Sequence, residues 1–144
     1  MPTRLVKRQI CVSLALVINE RGEVLLGKRH DPRNRGMHGK WEFPGGKVEF
    51  GENPEQSVIR ECAEEVALVV VPERLLKIYS WFHPDRPHIQ VILMAYIVRT
   101  MNPEHARPNC REVREVAWVS LEKASTMDLI ENNKFILDDL KKAL

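Results

Sequence analysis

The segment from Asn53 to Val66 constrains the fold of this chain more than any other. Ile59, Cys62, Ala63 and Val66 stand at i, i+3, i+4 and i+7, an apolar stripe that a helix lays against a core. The start of that helix is marked too. Asn53 is a good N-cap, Pro54 suits the first helical position and Gln56 stands at capping-box spacing, while Glu55 complements the positive helix end. A capped helix with one apolar side needs a surface to cover.

The rest of the chain supplies strands for that surface. Ile10 to Ile18 is β-branched and aliphatic, turns at Asn19 to Gly22, and restarts at Val24-Leu25-Leu26, a hairpin signal. Asp31 to Lys40 reads as a loop, Trp41-Glu42-Phe43 as a short extended piece, and Pro44-Gly45-Gly46 as a break. Leu68–Val71, Leu75–Phe82, Ile89–Val98 and Val113–Val119 are further strands, the third long enough for a buried central position. Leu121 to Ala124 forms a short helix. A last helix from about Asn133 to Leu144 carries Ile136, Leu137, Leu140 and Leu144 on one face. The expected class is α+β, an α/β/α sandwich with a mixed sheet between helices, in one domain over residues 1–144.

The 144 residues are 44% hydrophobic and 29% charged, with a net charge of +2, so neither a nucleic-acid nor a membrane partner is required. Any attraction for an anionic ligand must be local. Basic residues cluster at Arg4, Lys7 and Arg8 and again at Lys28, Arg29, Arg33 and Arg35. Cys11, Cys62 and Cys110 are odd in number and widely spaced, as expected of reduced thiols in a cytoplasmic protein. The chain shows no secretory pattern, and no apolar run approaches the ~20 residues needed to span a bilayer.

On the helix, opposite the apolar stripe, Glu61, Glu64 and Glu65 fall at i, i+3 and i+4. Two readings stand: a solvated acidic face relieved by Arg60, or a hard-cation site of clustered carboxylate oxygens. The wider pattern separates them. Gly46, Glu52, Arg60, Glu61, Glu64 and Glu65 keep the fixed spacing of GKVEFGENPEQSVIRECAEEVAL, which resembles the Nudix box. Two positions depart from it. Cys62 replaces a residue that is usually aliphatic, and Ala67 stands where the family has a glycine able to adopt positive φ.

The flanks resemble the MutT-like branch of the Nudix hydrolases, which cleaves nucleoside triphosphates. Trp41-Glu42-Phe43-Pro44-Gly45-Gly46-Lys47 resembles its entry to the box. His83-Pro84-Asp85-Arg86-Pro87-His88-Ile89 resembles its base-side loop, with Pro87 as an insertion. Trp118-Val119-Ser120-Leu121 resembles its strand exit, and counting back from there brings Glu112 to the place of the branch's additional metal-binding glutamate.

This resemblance implies Mg²⁺, with Mn²⁺ as a substitute, held by Glu61, Glu64, Glu65, Glu112 and the Gly45 carbonyl. It implies catalysis by Glu61, Glu64 and Glu112, with Glu61 the first choice as proton acceptor and Glu112 the second. Arg29, Lys28 and Lys47 are the implied phosphate ligands, while Gly46, Glu52 and Arg60 are structural. Asn133, Phe43 and Arg86 are the implied base contacts. Asn133, with Asn132, can equally cap the last helix. Phe43 and Trp81 can stack on a base or fill core, and His83 and His88 read as loop residues.

The expected function is hydrolysis of a (deoxy)nucleoside triphosphate to the monophosphate and pyrophosphate, 8-oxo-dGTP included, by a monomer or homodimer. An ADP-ribose or related nucleoside diphosphate-X pyrophosphatase is the alternative, because Pro84, sixteen positions beyond Leu68, resembles that group's downstream proline. A catalytically silent nucleotide-sensing module is the alternative of another class.

Overall fold

The computed structural model describes residues 5–144, so Arg4 of the first basic group lies outside the described residues. The elements are β1 (Arg8–Ile18), β2 (Val24–Arg29), β3 (Trp41–Glu42), β4 (Gly45–Lys47), α1 (Pro54–Val66), β5 (Val70–His83), β6 (Arg86–Thr100), a 3-10 turn at Pro103–His105, β7 (Val113–Val119), α2 (Leu121–Ala124) and α3 (Glu131–Ala143).

β1 is the organising strand. It runs parallel to β6 along its whole length, from Arg8 opposite Ile89 to Ile18 opposite Arg99. Its other edge is shared: β4 pairs antiparallel with Val12 to Leu14, and β2 meets it at Ile18. β2 continues the sheet by pairing with β3 and β7, and β5 closes the far side against β6. This splitting of one edge between β4 and β2 opens the sheet between them.

Alternation along β1 builds two cores. Leu14, Leu16 and Ile18 point to the side covered by α3, with Leu26, Ile136, Leu137 and Leu140. Ala15 and Val17 point to the α1 side, with Leu25, Val58, Cys62, Val66 and Val98. A strand buried on both faces reads as a continuous apolar run, because neither set of side chains meets water. The result is the expected α+β class, a mixed sheet with helices on both faces.

The α1 stripe is rotated from its expected place. Val58, Cys62 and Val66 are the fully buried positions, whereas Ile59 is 42% exposed and Ala63 is also exposed. Glu61 and Glu65 therefore lie on the buried side, and only Glu64 faces outward. Four apolar residues at correct spacing do not reveal that two carboxylates share the core-facing arc. The N-terminus is as expected: the Asn53 side chain accepts from the Gln56 N–H and the Gln56 side chain accepts from the Asn53 N–H, both at 2.9 Å. Ala67 ends the helix in the left-handed conformation, φ 61° and ψ 30°.

Other boundaries moved for local reasons. Val70–Val71 and Leu75–Phe82 belong to one strand, β5, because Pro72 sits at a bulge on an edge strand, where a missing N–H is tolerated, while Leu68 and Val69 of the expected strand Leu68–Val71 precede it. The expected base-side loop from His83 to Ile89 is a tight hairpin in which His83 pairs with Arg86 across Pro84-Asp85. Gly45 and Gly46 join β4 rather than ending structure. α3 begins at Glu131, so Asn133 lies inside it and caps nothing, while Leu144 is 57% exposed beyond its end.

Candidate active site

Where the edge of β1 passes from β4 to β2, a cavity of about 630 Å³ opens between β2, β4, α1, β6 and the start of α3. One end is acidic: Glu42, Glu61, Glu65 and Glu112 line it beside Gly45 and Gly46. The other is apolar, with Val12, Leu14, Phe43, Trp81, Val91 and Leu93, and carries the amides of Asn132 and Asn133. Arg29 and Lys47 also line it.

The acidic end is assembled on a backbone stripped of side chains. A Cβ on Gly46 would come within 2.5 Å of Glu61 Oε1, so the Glu61 carboxylate occupies the space that glycine leaves. A Cβ on Gly45 would collide with the backbone at Ser13 and Leu14, so these glycines let β4 and α1 approach β1 closely. A buried hydrogen bond from Ser13 Oγ to Ser57 Oγ, 2.9 Å, ties β1 to α1 at the same level.

Arg60 holds the box together. It donates from Nε and Nη2 to both oxygens of Glu52 at 2.8 and 3.0 Å, from Nη2 to the Lys47 carbonyl at 3.1 Å, and from Nη1 to Glu61 and Glu64 at 2.9 and 3.3 Å. The Arg60 hydrogen bonds hold the Glu52 carboxyl down at about 2. This forked pairing, which a lysine cannot reproduce, joins the loop before α1 to the helix.

Burial dominates at Glu42, Glu61 and Glu65. It pushes Glu65 up to about 9, although the Gly45 N–H donates to its Oε2 at 3.0 Å, and the charges of Glu61, Glu42 and Glu112 push the same way. Burial likewise raises Glu61 against the pull of Arg60 and Glu42 against that of Arg29. Carboxylates crowded in a poorly solvated cleft resist ionising together.

The polar residues of the apolar end are already engaged. Asn133, 2% exposed, accepts the Phe43 N–H at 2.8 Å and donates to Asn132 Oδ1. Phe43 is core and cleft wall at once, and half-buried Trp81 likewise packs on the core and lines the cleft. Arg29 donates to Asp31 at 3.0 and 3.2 Å and to Glu42 at 3.3 Å.

Three residues expected in the site stand outside the cavity wall. Glu64 is 55% exposed and turned to Arg60. Lys28, one residue along β2 from Arg29, points to the other face and lies over Trp41. Arg86 is exposed at the β5–β6 hairpin. Sequence reasoning missed Glu42, Asp31 and Asn132 as lining residues. Glu42 had a signal in its place two residues before the Pro44-Gly45-Gly46 segment, while Asp31 and Asn132 had none.

Among the described residues, no three His, Cys, Asp or Glu side chains converge as a ready cation cage. The reason is visible in their partners: Glu61 and Glu64 are turned to Arg60, and Glu65 to the Gly45 N–H. The donor set nevertheless fits a hard divalent ion. It is all oxygen, four carboxylates and the Gly45 carbonyl, and burial raises the proton affinity of Glu61 and Glu65, a crowding of negative charge that a cation relieves.

Residues 7–140 match the model of the NUDIX domain family, and the chain belongs to that family of pyrophosphohydrolases. Within it, the chain is similar to the 8-oxo-dGTP diphosphatase of Escherichia coli (strain K12), 30% identical over 135 residues that cover 94% of this chain and 98% of that protein. The ADP-ribose pyrophosphatase of Methanocaldococcus jannaschii is 37% identical over 89 residues, 61% of this chain and 50% of that protein. The crystal structure of the MutT protein from Methanosarcina mazei Go1 superposes with a TM-score of 0.81 at 30% identity, covering 97% of this chain and 98% of that one.

Proposed function

We propose that the chain cleaves a purine (deoxy)nucleoside triphosphate to the monophosphate and pyrophosphate with Mg²⁺, oxidised purines such as 8-oxo-dGTP included. The observation that carries this is a cavity with two unlike ends: crowded carboxylates at one, and an apolar wall with two amides at the other. A triphosphate joined to a flat heterocycle matches that division. The similarity to an 8-oxo-dGTP diphosphatase over nearly the whole of both chains supports the same reading.

In this reading Glu61, Glu64, Glu65, Glu112 and the Gly45 carbonyl hold the divalent ion. When bound, the ion neutralises charge on the leaving diphosphate. Glu61 takes the proton from the attacking water as its oxygen bonds to phosphorus, and the anhydride P–O bond breaks with its electron pair going to pyrophosphate. Burial, by raising its proton affinity, suits Glu61 to this task. Arg29 and Lys47 face the phosphates from the cleft wall, while Arg60 positions Glu61 and Glu64. Phe43 and Trp81 flank the base, and Asn132 and Asn133 offer amides to its edge. In this reading the substrate is drawn from the cytoplasmic nucleotide pool and the protein acts as a monomer or homodimer.

Product analysis over a nucleotide panel with Mg²⁺ in ¹⁸O water tests the proposal, since the labelled product identifies the phosphorus attacked. Pyrophosphate and monophosphate from purine triphosphates are expected. Preference for ADP-ribose over every triphosphate would overturn the substrate class. Binding without release of pyrophosphate or phosphate would leave a sensing module.

A further inference from the structure

We propose that Asn109 is a positioning residue that fixes Glu112 relative to the carboxylates of α1. This rests on the reading of Glu112 as part of the metal-binding and proton-accepting set. Three backbone N–H groups, those of Arg111, Glu112 and Val113, converge on Asn109 Oδ1 at 3.0, 3.0 and 3.1 Å. The Asn109 N–H donates to the carbonyl of Glu65 at 3.0 Å, and the neighbouring Arg107 N–H to that of Val66 at 3.1 Å. One residue thus grips the last turn of the helix that bears Glu61, Glu64 and Glu65 with its backbone, and the turn that bears Glu112 with its side chain.

The rest of the turn is shaped around that oxygen. Cys110 adopts φ 64°, and its N–H donates to the Val113 carbonyl at 2.9 Å. The His30 N–H donates to the Glu112 carbonyl at 2.8 Å, tying the turn to the end of β2. Only an oxygen can accept from three N–H groups, so chemistry fixes the orientation of the Asn109 amide. Its Nδ2 is left buried without a partner among the described residues. An orphaned donor is tolerated here because turning the amide over would strand three others.

Glu112 itself is exposed and lines the acidic end. It sits on a turn just outside the β7 ladder, where its carbonyl accepts from the His30 N–H and its own N–H is held by Asn109. The Asn109 oxygen takes the place of that ladder. Groups that orient metal ligands matter nearly as much as the ligands themselves.

The test uses the full chain and the variants Asn109→Ala, Asn109→Asp, Glu112→Gln and Asn109→Ala/Glu112→Gln. The readouts are Mn²⁺ affinity by electron paramagnetic resonance and kcat and KM for dGTP. Asn109→Ala is expected to weaken Mn²⁺ binding and lower kcat on the order of 10–100-fold, with KM little changed. Asn109→Asp, which keeps the acceptor, is expected to recover most of both. In the Glu112→Gln background, Asn109→Ala is expected to cost nothing further.

Wild-type Mn²⁺ affinity and kcat in Asn109→Ala, an undiminished loss in the Glu112→Gln background, or no rescue by Asp would each overturn the proposal. Wild-type behaviour of Glu112→Gln would overturn the reading of Glu112 and this proposal with it. An impaired Glu112→Gln beside a normal Asn109→Ala would overturn the positioning role alone. Mn²⁺ affinity reads the same order of variants whether or not dGTP is turned over, so failure of the nucleotide reading is separately visible. Should Asn109→Ala not fold, Asn109→Leu, which keeps the branched shape of the side chain but has no acceptor, is measured in its place with the same expectations.

Discussion

Replacing Ala67 with glycine should make the protein more stable, and the size of the gain follows from the turn that ends α1. Ala67 holds φ 61° and ψ 30°, with its N–H directed to the Cys62 carbonyl. The following Leu68 N–H donates to the same oxygen at 3.2 Å, so the left-handed residue is locked in place. An L-residue in this region costs about 1–2 kcal/mol. Glycine removes that strain but gains freedom in the unfolded chain, which offsets about 0.4–1 kcal/mol. The half-buried methyl is also lost. A net stabilisation of about 0.5 kcal/mol remains, a rise of roughly 1–2 °C for a domain of this size.

Urea unfolding followed by far-ultraviolet circular dichroism measures it directly. The midpoint should rise with an unchanged m-value. Turnover should not change, since Ala67 lines no part of the cleft. A midpoint that stays or falls in Ala67→Gly would refute the claim that strain at the helix exit is stored in the native protein.

Glu64→Gln should lower turnover about 100-fold or more while leaving the melting temperature within the small range of exposed substitutions; near wild-type rates would remove Glu64 from the metal set. Arg60→Lys should reduce both activity and stability, because one ammonium cannot serve Glu52, Glu61, Glu64 and the Lys47 carbonyl together; full activity in that variant would refute a positioning role. Asn133→Ala should cost about 1–3 kcal/mol, because the buried Phe43 N–H loses its acceptor, and should shift purine preference; an unchanged denaturation midpoint would count against the contact. In metal-free protein, Glu65 keeps its proton in the folded state up to about 9, whereas the unfolded chain releases it near the ordinary glutamate value. Its stabilising contribution is therefore full below the unfolded pKa and is lost as pH rises towards 9. Thermal melts with and without Mg²⁺ should show a metal-induced gain that grows across that window, and a pH-independent gain would contradict it.

The catalytic helix was legible in the chain itself because its signals are local. Asn53, Pro54 and Gln56 act within one turn of one another, and the box spacing of Gly46, Glu52, Arg60 and the glutamates needs only residue order. The aliphatic run from Ile10 to Ile18 likewise announced a strand, but that both its faces are buried came only from the packing. Long-range packing decided which way the helix faced. Glu61 and Glu65 lie inward because α1 rests on Val58, Cys62 and Val66, against β1 and a bare Gly46, and a single stripe of apolar letters cannot choose between adjacent arcs. The closure of β5 into one strand depended on its being at the sheet edge, where Pro72 is harmless.

Residue order therefore determined the helix, its caps and the set of acids. Which acids are buried, that Glu42 joins them, and that Asn133 serves Phe43 rather than a helix end were decided by where the sheet splits. Burial and charge crowding depend on neighbours distant in the chain, and a carboxylate's surroundings are set only once those neighbours have met.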